Sequence, residues 1–306
     1  MKFLNIFRKK TTGLALGSGA ARGIAHIGVL KALEEKNIKL DYISGCSMGA
    51  LIGGAYAAGM TVKQLEDIAT QNDWKLMAKM FFPSFSRASL VKSTFLEEFI
   101  LSIFGDKNFN DLKIPFSAVA TDINTGEPVI LDSGDLKTAI RASVSIPVMF
   151  VPASINGRRL ADGALVNPVP VDILRNKKID KIIAVSITGT SPVIAQSEQI
   201  QQPVALDPRV AALSINEKIQ ELLKKPFEKL GRKNEEKEPD PTMWNVMAQS
   251  FFIVQDQISR LNMMVAKPDI LITPDTRDFS LLDFTKVKEL IEIGYISTME
   301  KLDEGR

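Results

Sequence analysis

From Tyr42 to Val62 the chain runs for 21 residues without a charge, and the order of residues within that run allows few folds. A run of this length could cross a bilayer as one helix. Five glycines and two serines lower its hydrophobicity, however, and a shorter pair of elements explains the same stretch. Asp41-Tyr-Ile-Ser-Gly-Cys-Ser-Met-Gly-Ala50 reads as a buried strand that enters a sharp turn at Ser47 and continues as a helix. Ala50, Gly53, Gly54, Ala55, Ala57 and Ala58 make that helix thin enough to lie close against a sheet. Gly45 and Gly49 flank Ser47 in a G-x-S-x-G pattern. A serine held at so tight a bend needs an unusual backbone conformation and neighbours with almost no side chain, and its hydroxyl is pushed out of the chain. The pattern alone does not separate a nucleophile from a packing device, since small residues cluster in many cores.

The chain has 306 residues, 45% of them hydrophobic and 24% charged, enough for one large α/β domain or two ordinary ones. A net charge of +2, with no basic stripe interleaved with aromatics, argues against a nucleic-acid partner. The single cysteine, Cys46, excludes an intramolecular disulfide, and with a single histidine, His26, it leaves no Cys/His set for a metal. Met1 to Lys10 is basic and apolar but too short for a signal sequence. Either a disordered start or a segment resting on anionic lipid fits it, so the expected location is cytoplasmic, with peripheral contact at the inner face of a membrane as the variant.

Ahead of the uncharged run, Gly13 to Leu16 reads as a strand, Gly17-Ser-Gly-Ala-Ala-Arg-Gly23 as a glycine-rich loop, and the residues to Leu33 as a helix. Such a loop presents backbone N–H groups that stabilise a phosphate or an oxyanion. A dinucleotide site would need an acidic residue at the end of the second strand, where Gly45-Cys46-Ser47 stands instead. Thr61 to Gly105 is expected to be helical, with a Phe81-Phe82-Pro83-Ser84-Phe85 turn that is either core or an apolar flap. Ile114 to Thr121 and Glu127 to Leu131 form a predicted hairpin, Leu136 to Ser145 a helix, and Lys181 to Thr188 and Pro268 to Pro274 further strands. Residues 191–267 carry no strand signal and read as a mostly helical insertion, with a charged run at Lys224 to Glu238 and an apolar helix at Met243 to Val265 that could serve a homodimer contact. Asp283 to Leu302 is the closing helix. The organisation expected is a tail over residues 1–12 and a single domain over 13–306.

A serine nucleophile needs a base and a receiver for the oxyanion. His26 lies beyond the start of the helix after the glycine loop, which carries it away from the reacting centre, so it reads as a packed or surface histidine. The base is then a carboxylate, and Asp162, in Arg159-Leu-Ala-Asp-Gly163 at a strand end, is the candidate. With a reference pKa near 4 it would be a poor base in water and is expected to act through a short, desolvated hydrogen bond. Cys46, next to the bend, is expected to point to the opposite side.

Five stretches, in this order and with compatible spacing, resemble the patatin-like phospholipase family, most closely its bacterial members. They are the loop Gly17 to Gly23, the motif Gly45-Cys-Ser-Met-Gly49, Ala120 to Glu127, Arg141-Ala-Ser-Val-Ser-Ile-Pro147, and Asp162-Gly-Ala164. The resemblance implies a three-layer α/β/α sandwich with a mainly parallel sheet. It implies a Ser47–Asp162 dyad that hydrolyses acyl esters of lipids or long-chain esters through an acyl-enzyme, with neither metal nor cofactor. It places the oxyanion donors on the backbone N–H groups of Gly19 and Ala20. Ser18 and Ala20 stand where many members have glycine, which bears on how closely a substrate can approach. Arg22 would either meet a phosphate head group or cap the loop. Two readings on the same residues stay open beside hydrolysis: a lipid-binding or regulatory protein, and an acyltransferase.

Overall fold

The computed structural model describes residues 10–70, 88–147, 149–187, 243–281 and 284–304. The expectations for the tail before residue 10, the Phe81 to Phe85 turn and the Lys224 to Glu238 run fall outside them. Residues 1–190 and 247–306 form one compact unit and 191–246 a second, of which only the last few residues are described.

Among the described residues, five of eight strands build the parallel centre of the first unit: β1 (Thr12–Leu16), β2 (Tyr42–Cys46), β3 (Phe116–Asp122), β7 (Lys181–Val185) and β8 (Ile270–Ile272). Beyond β3 the sheet turns antiparallel through β6 (Arg158–Asp162) and β5 (Ala153–Ile155), and β4 (Pro128–Leu131) returns on β3 as the expected hairpin. The strand order is β5-β6-β3-β2-β1-β7-β8, with β1, β2 and β3 on buried positions along nearly their whole length, as apolar strands covered on both faces must be.

Helices cover both faces, so the α/β/α sandwich with a mainly parallel sheet holds. On one face, α2 (Met48–Ala57) and α5 (Leu136–Ser143) pack on β2, β3 and β6. The small residues of α2 serve this directly: a Cβ on Gly53 would sit 2.9 Å from Leu16 and 3.1 Å from Ile43. α1 (Ala25–Glu35) and the closing helix α8 (Val287–Asp303) cross at two glycines, where a Cβ on Gly28 would come within 1.8 Å of the Ile291 carbonyl oxygen and one on Gly294 within 2.0 Å of that of Ala25. α3 (Val62–Thr70) and α4 (Ala88–Phe104) lie outside this layer, against α1 and α5. On the other face, α6 (Val171–Asn176) buries Val171 and Leu174 on Ala15, Ile182 and Ala184, and Met263 and Ala266 of α7 (Met243–Ala266) extend that cluster. The uncharged run is therefore a strand, a bend and a thin helix, and among the described residues no helix is long and apolar enough to cross a membrane.

Candidate active site

Ser47 sits between the end of β2 and the start of α2 with φ 54° and ψ −120°, a left-handed conformation that costs a non-glycine residue on the order of 1 to 3 kcal/mol. The bend survives because its surroundings hold it. The Ser47 N–H donates to the Ser143 hydroxyl at 3.0 Å, and its carbonyl accepts from Ala50 and Leu51 as α2 begins. The two flanking glycines touch backbone: a Cβ on Gly45 would lie 2.6 Å from the Gly49 oxygen, and one on Gly49 2.2 Å from that of Leu16.

Asp162 ends β6, whose antiparallel pairing with β3 places it beside Ala120, two strands from β2. Its N–H donates to the Ser145 carbonyl at 2.9 Å, its carbonyl accepts from the Thr121 hydroxyl at 2.9 Å, and its Oδ1 accepts from the Ala164 N–H at 2.9 Å. Gly163 follows because a Cβ there would meet the Val119 oxygen at 2.4 Å. Burial raises the carboxyl from its usual value to about 7, against hydrogen bonding from Ser47, Ala164 and Cys46 that pulls it down. Ser47 therefore bears on the carboxyl, whose Oδ2 is buried with no hydrogen-bond partner. Desolvation thus brings the carboxyl to a pKa of about 7, near the value a general base needs at neutral pH.

The expectation for Cys46 is corrected. Its thiol does not turn away from the carboxylate but lies 3.9 Å from Asp162 Oδ1. What disqualifies it as a nucleophile is full burial beside a carboxylate, which pushes the thiol well above its usual pKa.

The glycine-rich loop leaves β1 and becomes a 3-10 turn over Ala20–Ile24 before α1 starts. Its amides divide into two sets. Gly17, Ser18 and Ala21 donate to the carbonyls of Val185, Pro168 and Leu281. The N–H groups of Gly19 and Ala20 have no such partner among the described residues, the state an oxyanion receiver requires. Around the loop, Ser18 Oγ accepts from the buried Gln255 side chain, and His26 donates from Nε2 to the Gly17 carbonyl at 2.7 Å. His26 is buried, with its pKa lowered to about 4, hence neutral, and it braces the loop from beneath. The buried Arg22 guanidinium donates from Nε to the Phe279 carbonyl at 2.7 Å, which ties the loop to the residues before the closing helix.

Ala20 holds φ 47°, which glycine would adopt without strain. Ala20→Gly is expected to change stability by no more than about 1 kcal/mol, since relief of backbone strain offsets the added freedom of the unfolded chain. Turnover should stay within about threefold if the expected oxyanion donor is the Ala20 backbone N–H, since that group survives the substitution. Thermal unfolding and ester hydrolysis of the variant measure both, and a tenfold loss would mean that the methyl group itself positions substrate.

Three supporting residues escaped the sequence reading: Ser143, Ser145 and Gln255. The first two lie inside Arg141 to Pro147, whose spacing gave no sign of which backbone groups they hold. Gln255 stands 237 residues from its partner. Among the described residues no three His, Cys, Asp or Glu side chains gather as a metal ion needs.

The patatin-like phospholipase family model matches residues 14–175, just over half of the chain and every residue of the site except Gln255. An uncharacterized NTE family protein of Mycobacterium tuberculosis is 39% identical over 177 residues, covering 58% of this chain and 49% of that one. The lysophospholipase NTE1 of Cryptococcus neoformans is 34% identical over 192 residues, 59% of this chain and 12% of that protein. The mouse patatin-like phospholipase domain-containing protein 6 is 32% identical over 193 residues, with 61% and 14% covered. The chain thus spans half or less of the length of these relatives. Among solved structures, VipD from Legionella pneumophila aligns over 96% of this chain and 67% of its own, with a TM-score of 0.43 and 14% identity.

Proposed function

The chain belongs to the patatin-like phospholipase family, and from that premise we propose that it hydrolyses acyl esters of lipids through an acyl-enzyme on Ser47, with Asp162 as general base. One observation carries the proposal: the strand registers bring to one end of the sheet a serine in strained backbone, a buried carboxylate with a pKa of about 7 and a loop with two amides that have no backbone partner among the described residues. Ionised Asp162 takes the Ser47 proton as Oγ bonds to the ester carbonyl carbon. The charge that forms on the carbonyl oxygen is received by the amides of Gly19 and Ala20. Collapse breaks the bond to the lipid alcohol, which leaves with the proton from Asp162. Water, deprotonated by the same carboxylate, then attacks the acyl-serine; the bond to Ser47 Oγ breaks, Asp162 returns the proton to Oγ, and the fatty acid is released.

Two relatives carry phospholipase or lysophospholipase names, and these support a lipid substrate for this chain. The test is a fluorophosphonate probe followed by a panel of lysophospholipids, phospholipids and p-nitrophenyl esters of graded length. The probe is expected to label the native protein and not Ser47→Ala, and hydrolysis is expected to peak at long chains. Absence of labelling would remove the acyl-enzyme, a preference for acetate would turn the protein into a general esterase, and acylated alcohol among the products would make it a transferase.

A further inference from the structure

We propose that the cavity between α4, α5 and residues 151–154 binds a single-chain amphiphile with an anionic head, a carboxylate or a phosphate monoester. It encloses about 840 Å³, and none of Ser47, Asp162 or residues 17–22 lines it. Its walls are mixed in a particular way. Leu101 of α4 and Val151 both line the cavity with 47% and 42% of their surface open to water, so an alkyl chain lying there would find apolar surface to cover. At the α5 wall lies Arg141, only 7% exposed.

The guanidinium of Arg141 is incompletely satisfied. Nη1 donates to the Ser145 hydroxyl at 2.5 Å and Nη2 to the Val151 carbonyl at 3.0 Å, while Nε is buried with no hydrogen bond. The nearest charge to Nε is the Glu97 carboxylate, 3.5 Å away on a side chain 61% exposed. A buried cation with an unmade hydrogen bond is costly, and a solvated carboxylate at that distance compensates little of it. A ligand carboxylate or phosphate has the oxygen geometry to take Nε fully, displacing Glu97 into water, while its chain covers Leu101 and Val151. Lys137 at the rim is already held by Asp106 at 2.6 Å, so the fixed cation for the head is Arg141.

A fatty acid is also what the proposed hydrolysis would release. That link alone rests on the proposed function; binding is measured without turnover, so its failure leaves the Ser47 chemistry untouched. The experiment is calorimetric titration of the whole chain, below the critical micelle concentration, with decanoate, decyl phosphate, decyltrimethylammonium and acetate. One equivalent of decanoate or decyl phosphate should bind, at least about tenfold more tightly than the cationic amphiphile or acetate. The better of the two anions identifies the head. Arg141 is left intact, because it holds Ser145 and Ser145 holds the Asp162 N–H. Glu97→Gln removes the competing carboxylate and should tighten anion binding about fivefold, whereas Leu101→Asp should weaken it at least about tenfold. Equal binding of cationic and anionic amphiphiles, no binding of either anion, or affinities unmoved in both variants would overturn the site. So would binding lost on fluorophosphonate labelling yet unchanged in Leu101→Asp, which would put the ligand at Ser47.

Discussion

Asp162→Asn is expected to lower kcat for a long-chain ester by at least about 10⁴-fold while the protein stays folded. The amide keeps the shape and an acceptor oxygen for the Ala164 N–H but cannot take a proton from Ser47. Ser47→Ala should cost as much, and the double variant no more than either, because the two groups act on one proton. Turnover near the wild-type rate in either variant would end the proposed mechanism.

The same substitution separates catalysis from stability. A general base must be ionised, so kcat/KM should rise about tenfold per pH unit below the Asp162 pKa of about 7 and level off above it. For stability the sign is opposite. The folded pKa lies above the ordinary 3.8, so the folded state holds this proton more tightly than the unfolded chain does. The contribution is present below about pH 4, is lost as pH rises to about 7, and at pH 8 leaves a buried charge costing on the order of 4 kcal/mol at 1.36 kcal/mol per unit. Asp162→Asn should therefore be more stable than the wild type at pH 8, and the gap should close toward pH 4. Denaturant midpoints at the two pH values measure it, and a variant less stable at pH 8 would mean that the carboxylate is better solvated by its neighbours than its burial implies. His26 works against this trend: held neutral with a pKa of about 4, it destabilises the fold as pH falls from about 6.5 toward 4, in both proteins alike.

The strand, bend and helix around Ser47 were legible because their signal is local: an uncharged run, glycines two positions either side, and a thin helix all point to one backbone path. The β3–β4 hairpin and the closing helix were legible for the same reason. What stayed hidden is set by chain reversal in space. That Ser143 and Ser145 would hold the Ser47 and Asp162 N–H groups depends on where α5 ends against β6, which no spacing encodes. α7 is the clearest case. Its apolar content foretold a helix over Met243 to Val265, but the side that meets the sandwich carries the buried Gln255, Asp256 and Ser259, while Val254, Leu261, Met264 and Val265 are exposed. Sequence periodicity separates two sides of a helix without saying which is inward. Here a polar side was needed, because Ser18 in the loop and Ser186 after β7 offer hydroxyls that Gln255 and Ser259 meet. Cys46 failed for a related reason: strand alternation fixes the direction of its thiol within the sheet, but β6, two strands away, delivers Asp162 to that side.

Gly49→Ala tests whether the bend and the oxyanion loop work as one piece. The added methyl would sit 2.2 Å from the Leu16 oxygen and 2.5 Å from that of Gly17, where Cβ atoms essentially never come within 3.0 Å. Neither oxygen can yield freely. Leu16 is paired with Gly45 on one side and Val185 on the other, and the Gly17 carbonyl accepts from His26. The strain must then move α2 away from β1 or push the loop outward, and either motion shifts Ser47 relative to the Gly19 amide proposed as oxyanion donor. A stability loss of about 3 kcal/mol is expected from overpacking, together with at least about a 100-fold fall in kcat from the displaced donors. Gly126→Ala is the matched control. Its φ of 75° makes it costly by about 1 kcal/mol, but a Cβ there meets nothing within 4 Å and the turn lies outside the site, so kcat should not change. If Gly49→Ala lost stability and kept wild-type turnover, the contact between elbow and loop would serve only the fold, and the donors facing Ser47 would have to be sought elsewhere.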